Sequence, residues 1–171
     1  MKNTGHRVLL RKYVTGFTLI ELMMTLSISV VLLAIGVPSM RDLIRDARLS
    51  SQADLLVRTI NAARMEAIKQ RSNFKVCPAS TPNSATACSA LVTDWTNGWV
   101  LISGTTISQR ILGKSGVTIT TAATGVEFGA TLGTPTAASS FVLCVSGRKQ
   151  QTVNVSASGH VDKRIDSTVC S

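Results

Sequence analysis

Three sets of residues in this chain have types and spacings that can do chemistry. The first is a lone carboxylate. Glu21 is the single charged residue in the apolar run from Phe17 to Pro38. An ionised carboxylate in hydrocarbon costs several kcal/mol unless it is paired, so Glu21 needs a cationic partner, a proton, or reach to the headgroups. The second set is four cysteines, Cys77, Cys88, Cys144 and Cys170, all beyond the apolar run. An even number of thiols in an exported segment favours two disulfides. Zinc fails on spacing, because there is no CxxC pair and His160 is the only histidine beyond the run. Four cysteines allow three connectivities, and sequence order favours Cys77–Cys88 with Cys144–Cys170. The third set is basic: Arg148 with Lys149, and Lys163 with Arg164. Such pairs neutralise phosphates without reading sequence.

A catalytic set is missing from the sequence. No histidine stands beside a nucleophile, no two acids lie close together after the helical segment, and no glycine-rich phosphate loop or metal spacing occurs. Asp94, Glu127, Asp162 and Asp166 are scattered and read as ordinary surface charges, while Glu66 can pair with Lys69 or Gln70 on its helix. The chain reads as a non-enzyme without a cofactor.

The elements that must position these residues follow from the pattern. As a helix, Phe17 to Pro38 spans roughly 33 Å, enough for a hydrocarbon core of about 30 Å. A buried core helix of this kind does not suit a domain of this size, since the chain has only 171 residues. Lys2, Arg7, Arg11 and Lys12 precede the run, which places the N-terminus in the cytoplasm and the remainder outside it. A secretory signal is disfavoured because Ala34-Ile35-Gly36 lacks the small-residue cleavage spacing. Gly36 and Pro38 should kink or locally melt the helix. It then resumes with an apolar stripe, Leu49, Ala53, Leu56, Ile60, Ala63 and Ala67, and ends near Gln70 to Asn73. After Phe74 the runs FKVC, GWVLI, TISQRIL, VTITT, GVEFG, SFVLCV, QQTVNV and HVDKRI read as strands at hairpin-like distances, so the sheet should be largely antiparallel. Trp95 and Trp99 bracket a turn at Asn97-Gly98 and are expected to pack on the helix. The fold class is α+β: a long N-terminal helix, membrane-spanning in its first half and kinked near Pro38, packed on a C-terminal antiparallel β-rich head with two disulfides.

A basic leader ending in Gly16, then Phe17, TLIE, and an apolar run broken at Pro38 closely resemble a type IV prepilin or type II secretion pseudopilin. The ARMEAI helix end and the W-x-x-G-W of Trp95 to Trp99 are similar to the GspH/FimT subfamily of minor pilins and pseudopilins, FimT/FimU type. The resemblance implies cleavage by a prepilin peptidase between Gly16 and Phe17 and N-methylation of Phe17. It implies four regions: a cleaved leader 1–16, a transmembrane and assembly helix 17–40, an amphipathic helical half 41–73, and a periplasmic or filament head 74–171. Cleavage creates an amine at Phe17 inside the apolar layer. Glu21 and that amine, in neighbouring subunits, can neutralise each other during filament assembly, whereas either alone is costly.

The function this implies is a minor type IV pilin that assembles or primes a pilus, anchored in the bacterial inner membrane before it joins other pilins in the filament. The alternative is a minor pseudopilin of a type II secretion system. The resemblance also raises DNA uptake. Some FimT-like proteins bind DNA through a C-terminal G-R-x-R motif, and the matching stretch here is Gly159-His160-Val161-Asp162, with both arginines absent. Removing the leader leaves 14 basic and 9 acidic residues, net +5. Arg148, Lys149, His160, Lys163 and Arg164 are the candidate contacts to double-stranded DNA of any sequence, with β-strand pairing expected to bring the two basic pairs to a common edge. The competing reading of the same residues is a solvated basic edge that keeps the head soluble.

Overall fold

The computed structural model describes residues 16–171. Lys2, Arg7, Arg11, Lys12 and the leader through Thr15 lie outside the described residues. Among the described residues are one α-helix, a short 3-10 helix and eight strands. The chain divides after Met40 into two compact units.

The helix, α1, runs Leu19–Gln70. It starts at the first position after Thr18 and continues through Pro38 without melting. Proline removes one N–H from the ladder, here the usual partner of the Ala34 carbonyl, and the helical pattern holds on both sides of it. In the first unit the apolar side chains from Phe17 to Val37 are exposed. The rival reading of this run as a buried core helix is thereby removed. Thr25, Ser27 and Ser29 turn their hydroxyls onto the Leu22, Met23 and Thr25 carbonyls at 2.9, 2.8 and 2.7 Å. They are thus satisfied without water, as a segment in hydrocarbon requires. The helix ends where Arg71 takes a left-handed conformation, φ 49°, a shape that normally closes a helix C-terminus.

In the second unit the predicted stripe is the floor of the core. Leu49, Ala53, Leu56, Ile60, Ala63 and Ala67 are each no more than 1% exposed. Three of the six are alanines, which let the sheets approach the helix closely. Eight strands follow: β1 (Phe74–Pro78), β2 (Gly98–Ser103), β3 (Thr106–Leu112), β4 (Thr118–Thr120), β5 (Val126–Phe128), β6 (Ser139–Cys144), β7 (Lys149–Val155) and β8 (Val161–Val169). Each matches one of the runs read as a strand.

They do not form one sheet of successive hairpins. There are two antiparallel four-stranded sheets, ordered β3-β2-β1-β5 and β4-β6-β7-β8. Both contribute to one core over α1, with Phe74, Leu101 and Phe128 from the first and Ile119, Phe141 and Val153 from the second. Two strands of three residues each, β4 and β5, make long-range pairings. β5 joins β1 through Phe74↔Phe128, and β4 joins β6 through Thr120↔Val142. The Ile119 amide also donates to Thr96 Oγ1 at 3.0 Å, tying β4 to the 3-10 helix Val92–Thr96.

Trp95 and Trp99 are fully buried in this core, as expected. Trp95 donates its indole N–H to the Ala123 carbonyl at 2.8 Å and meets Phe141 edge-on with ring centroids 4.8 Å apart. Asp94, directly before Trp95, departs from the surface role read for it. It is buried, and accepts hydrogen bonds from Ser89 Oγ at 2.5 Å and Asn97 Nδ2 at 3.0 Å. Burial without such donors would be costly, and the pair of donors offsets it.

Both disulfides join in sequence order. Cys77–Cys88 has Cα atoms 5.5 Å apart and Cys144–Cys170 has them 5.7 Å apart. The first fastens the loop after β1 over the outer face of the first sheet, where Cys77, Ala79, Val100 and Ile102 form a second apolar cluster. The second closes β6 onto the end of β8. Removing it should cost roughly 2–5 kcal/mol.

Gly98, which opens β2 between the tryptophans, has φ +133°, and a Cβ there would strike Ile111 O and come within 2.8 Å of Pro82 Cγ. Gly98→Ala should destabilise the head by roughly 3 kcal/mol in denaturant unfolding. Gly104→Ala, at φ +58° with nothing within 4 Å of its Cβ, should cost only about 1 kcal/mol. Equal costs at the two positions would show that crowding at Gly98 is not what selects glycine.

Candidate functional site

The first group of candidate residues opens α1. Phe17 is 82% exposed and directly precedes Thr18. Thr18 is the N-cap and Glu21 the third helical residue, since α1 begins at Leu19. The Glu21 amide donates to Thr18 Oγ1 at 3.3 Å, and Glu21 Oε2 accepts from the Thr18 amide and hydroxyl, each at 3.2 Å. This reciprocal pattern is a capping box, which satisfies two N–H groups that a helix start otherwise leaves without partners. The T-x-x-E spacing that announces it stands in the sequence, yet the reading above took Glu21 only as a charge. The acid also lies in the first turn, where the helix dipole favours it.

The second group belongs to the head. Arg148, just before β7, holds Asp46 of α1 with a forked contact: Nε donates to Oδ1 at 2.6 Å and Nη2 to Oδ2. Its Nη1 also lies 3.6 Å from Asp42 Oδ2. The hydrogen bond it donates to Asp46, aided by both acids' charge, keeps the guanidinium pKa above its ordinary value. Lys163 on β8 donates to Asp54 Oδ1 at 2.6 Å, and Arg164 Nε donates to Asp162 Oδ2 at 3.1 Å. Three of the four basic residues therefore already have acid partners. Asp42, Asp46 and Asp54 were missed as partners because only the folded arrangement of α1 against β7 and β8 reveals them. Lys149 has no acidic partner among the described residues.

The candidates also do not converge on one patch. Lys149 and Val155 open and close β7, about 20 Å apart at ~3.3 Å per residue, and His160 follows the turn after Val155. Lys163 and Arg164 are neighbours on β8, so their side chains leave opposite faces of the sheet. β8 forms the sheet edge and carries Lys163 and Arg164, but Arg148 and Lys149 stand at the start of β7, an inner strand, so the two basic pairs do not share that edge. Gly159, in the turn, has φ +80°, and its carbonyl accepts from Arg64 Nη1 at 2.9 Å. The ARMEAI segment and the Gly159-His160-Val161-Asp162 stretch are thus physically joined.

One more acid differs from the surface role read for it. Asp166 on β8 accepts from Thr152 Oγ1 at 2.5 Å and Gln150 Nε2 at 3.1 Å. These hydrogen bonds, Thr152 first, hold its carboxyl below the usual carboxylate range. Asp162 is the partner of Arg164.

With this geometry in hand, the likeness to known proteins is specific. A sequence model described as type II transport protein GspH matches residues 52–159. A prokaryotic N-terminal methylation motif matches residues 11–37. No curated protein matches the chain. The type IV minor pilin FimU of Pseudomonas aeruginosa PAO1 superposes with a TM-score of 0.53 at 18% identity, covering 70% of this chain and 90% of that one. In a second crystal form it gives 0.52 at 20% identity, with 68% and 92% covered. The minor pseudopilin EpsH of the Vibrio cholerae type 2 secretion system gives 0.52 at 13% identity, with 69% and 97% covered. At these identities the likeness is one of fold.

The Asp166 hydrogen bonds make acid sensitivity testable. Its folded pKa lies below the unfolded value of about 3.9, so its stabilisation is full above that value and lost as pH falls through the folded one. Thermal unfolding of the head below about pH 4 should therefore steepen with acid more in the wild type than in Asp166→Asn. Identical acid limbs would show that the Thr152 and Gln150 contacts do not favour the ionised form.

Proposed function

The chain belongs to the family of the type II transport protein GspH, and on that premise we propose that it works as a minor type IV pilin, cut between Gly16 and Phe17 and methylated on Phe17 before it enters a filament. A pilin or pseudopilin is a structural subunit, and the absence of a catalytic set in the sequence accords with that. One observation carries the proposal furthest: the Thr18–Glu21 capping box begins directly after Phe17, at the head of an apolar helix whose side chains from Phe17 to Val37 are exposed among the described residues. A lipid layer covers them before assembly, and neighbouring helices cover them in the filament. Cleavage by a prepilin peptidase on the cytoplasmic side leaves the Phe17 amine four residues from Glu21, so both charges enter the same low-dielectric layer.

Three further roles belong to this reading. The apolar run anchors the subunit in the inner membrane with its head outside the cytoplasm, the orientation that the leader cations favour. Other pilins are its partners in the filament. Its place among them is that of a minor subunit that primes or decorates the fibre, as the likeness to the minor pilin FimU supports. The likeness to EpsH supports the alternative, a minor pseudopilin of a secretion system. Deleting the gene separates the two: loss of surface pili supports the first and loss of exported enzymes the second.

DNA uptake is the weaker extension. Non-specific binding would rest on Arg148, Lys149, His160, Lys163 and Arg164, and three of these are held by Asp46, Asp54 and Asp162. A phosphate would have to displace those carboxylates.

Mass spectrometry of the subunit from sheared filaments should find an N-methylated Phe17 as the first residue. A subunit that keeps its leader in cells with an active prepilin peptidase would overturn the proposal. For DNA, each phosphate contact contributes a log–log salt slope of about −0.9. Alanine at Arg148, Lys149, Lys163 and Arg164 together should change the slope of any duplex binding by the head by less than about 1, since Lys149 alone lacks an acid. A change near 3.6, the value for four phosphate contacts at this slope, would restore the DNA reading.

A further inference from the structure

The pairing of β7 with β8 is interrupted near the C-terminus. Gln151 faces Ile165, but the next aligned pair is Lys149 with Val169, so β8 carries two extra residues between them. A cavity of about 540 Å³ lies beside this bulge, lined by Asp46 and Ser50 of α1 and by Lys149, Gln151, Ile165 and Val169. Its volume falls in the range of pockets that hold ligands or peptide side chains.

The lining is chemically incomplete. Gln151 is 6% exposed, and its Oε1 is buried without a hydrogen-bond partner. A buried acceptor left unmatched carries its full desolvation cost, so this atom fits a donor from outside the head. Ile165 and Val169 are large apolar residues left 66% and 58% exposed on the rim. Lys149 has no acid among the described residues, whereas the neighbouring Arg148 is fully engaged with Asp46. The cavity wants one N–H or O–H donor, an apolar group and a negative charge.

The rim is also fixed in advance. Asp166 in the bulge is held by Thr152 and Gln150. Past the bulge, the Cys170 amide donates to the Arg148 carbonyl at 2.8 Å, the Gly147 amide donates to the Cys170 carbonyl at 3.0 Å, and Cys170 is bonded to Cys144. Bulges of this kind recur beside functional sites because they re-aim a strand. A preformed rim lowers the ordering cost of binding.

We infer that the bulged end of β8 is a docking site for a neighbouring filament subunit, which inserts an apolar side chain against Ile165 and Val169, gives an N–H or O–H donor to Gln151 Oε1, and sets a carboxylate near Lys149. The inference rests on the reading of this chain as a filament subunit and adds the surface through which it meets the next one. The unpaired lysine selects an acidic partner segment, and the orphan acceptor selects one with a donor.

Photo-crosslinking in cells, on the full chain, tests it. A benzophenone amino acid at Val169 should yield a product with a second protein whose peptides identify it as another chain carrying the N-terminal methylation motif. The same probe at Leu33, in the apolar helix, reports filament contacts independently of the cavity. Gln151→Leu should cut the Val169 product at least fivefold while leaving the Leu33 product and both disulfides intact. Ile165→Ser, at an exposed position that cannot disturb the core, should do the same. A Val169 product insensitive to both substitutions, a product formed only with a second copy of this chain, or none at all while Leu33 crosslinks would overturn the docking site. Loss of crosslinking at both positions would overturn the filament reading with it.

Discussion

A carboxylate at the head of a lipid-length helix must be satisfied before anything else in this protein can work. Glu21 meets that constraint within its own chain and, on the proposed reading, a second time in the filament. Within one chain it closes a capping box with Thr18, accepting the Thr18 amide and hydroxyl at 3.2 Å. That arrangement makes a single inserted subunit tolerable, because the acid accepts two hydrogen bonds and sits at the positive end of the helix dipole. It does not neutralise the charge. A cation brought to the same depth does so, and on the proposed reading the amine that cleavage would release at Phe17 supplies it. Removing one member of such a pair leaves the other stranded, at a cost of about 3–5 kcal/mol. From Phe17 to Pro38 the described residues carry no other charge, and Thr25, Ser27 and Ser29 are turned back on their own helix. Among the described residues of that run, Glu21 is therefore the one charged group.

The head solves a different problem with the same helix. Past Met40, α1 offers one apolar stripe to two sheets, and its flank carries Asp42, Asp46 and Asp54. Those acids take up Arg148 and Lys163, so the helix and the second sheet are joined by charge as well as by burial. Exposed pairs of this kind are worth little individually, and the forked Arg148–Asp46 contact ties α1 to the residue before β7, beside the cavity. The residues that made the head look like a phosphate-binding surface are largely already paired with acids of the same chain. What is left over, Lys149, the Gln151 carbonyl oxygen and the exposed Ile165 and Val169, gathers at the bulge in β8.

Local signals were legible in the sequence and long-range ones were not. The stripe from Leu49 to Ala67 has the period of a helix face and was read as such, and all six residues are buried. Each run of alternating or apolar character after Phe74 became a strand, because strand formation is written in a few neighbouring residues. The split into two sheets was not legible. It depends on β4 and β5, whose three residues each carry no signal for which distant strand they join. The disulfide order followed from proximity in sequence and held. Asp94 was misread because its donors, Ser89 and Asn97, count only once the 3-10 helix brings them round it. The bulge between Gln151 and Lys149 has no sequence signature, since it is an outcome of how Cys170 and Asp166 are tied down. The capping box was the one local signal overlooked, as T-x-x-E is readable at a glance.

Capping and charge pairing make opposite demands on one substitution. Glutamine can still close the box with Thr18, because its side-chain oxygen accepts the same hydrogen bonds, but it carries no charge. The most direct measurement is therefore the amount of Glu21→Gln subunit in sheared filaments, relative to wild type, at equal levels in the membrane. If Glu21 acts by neutralising the Phe17 amine of a neighbour, the mutant inserts normally and its share of the filament falls at least tenfold, the factor that about 1.4 kcal/mol represents. If the mutant enters filaments as well as wild type, the carboxylate serves only to cap its own helix, and charge pairing is not what drives assembly.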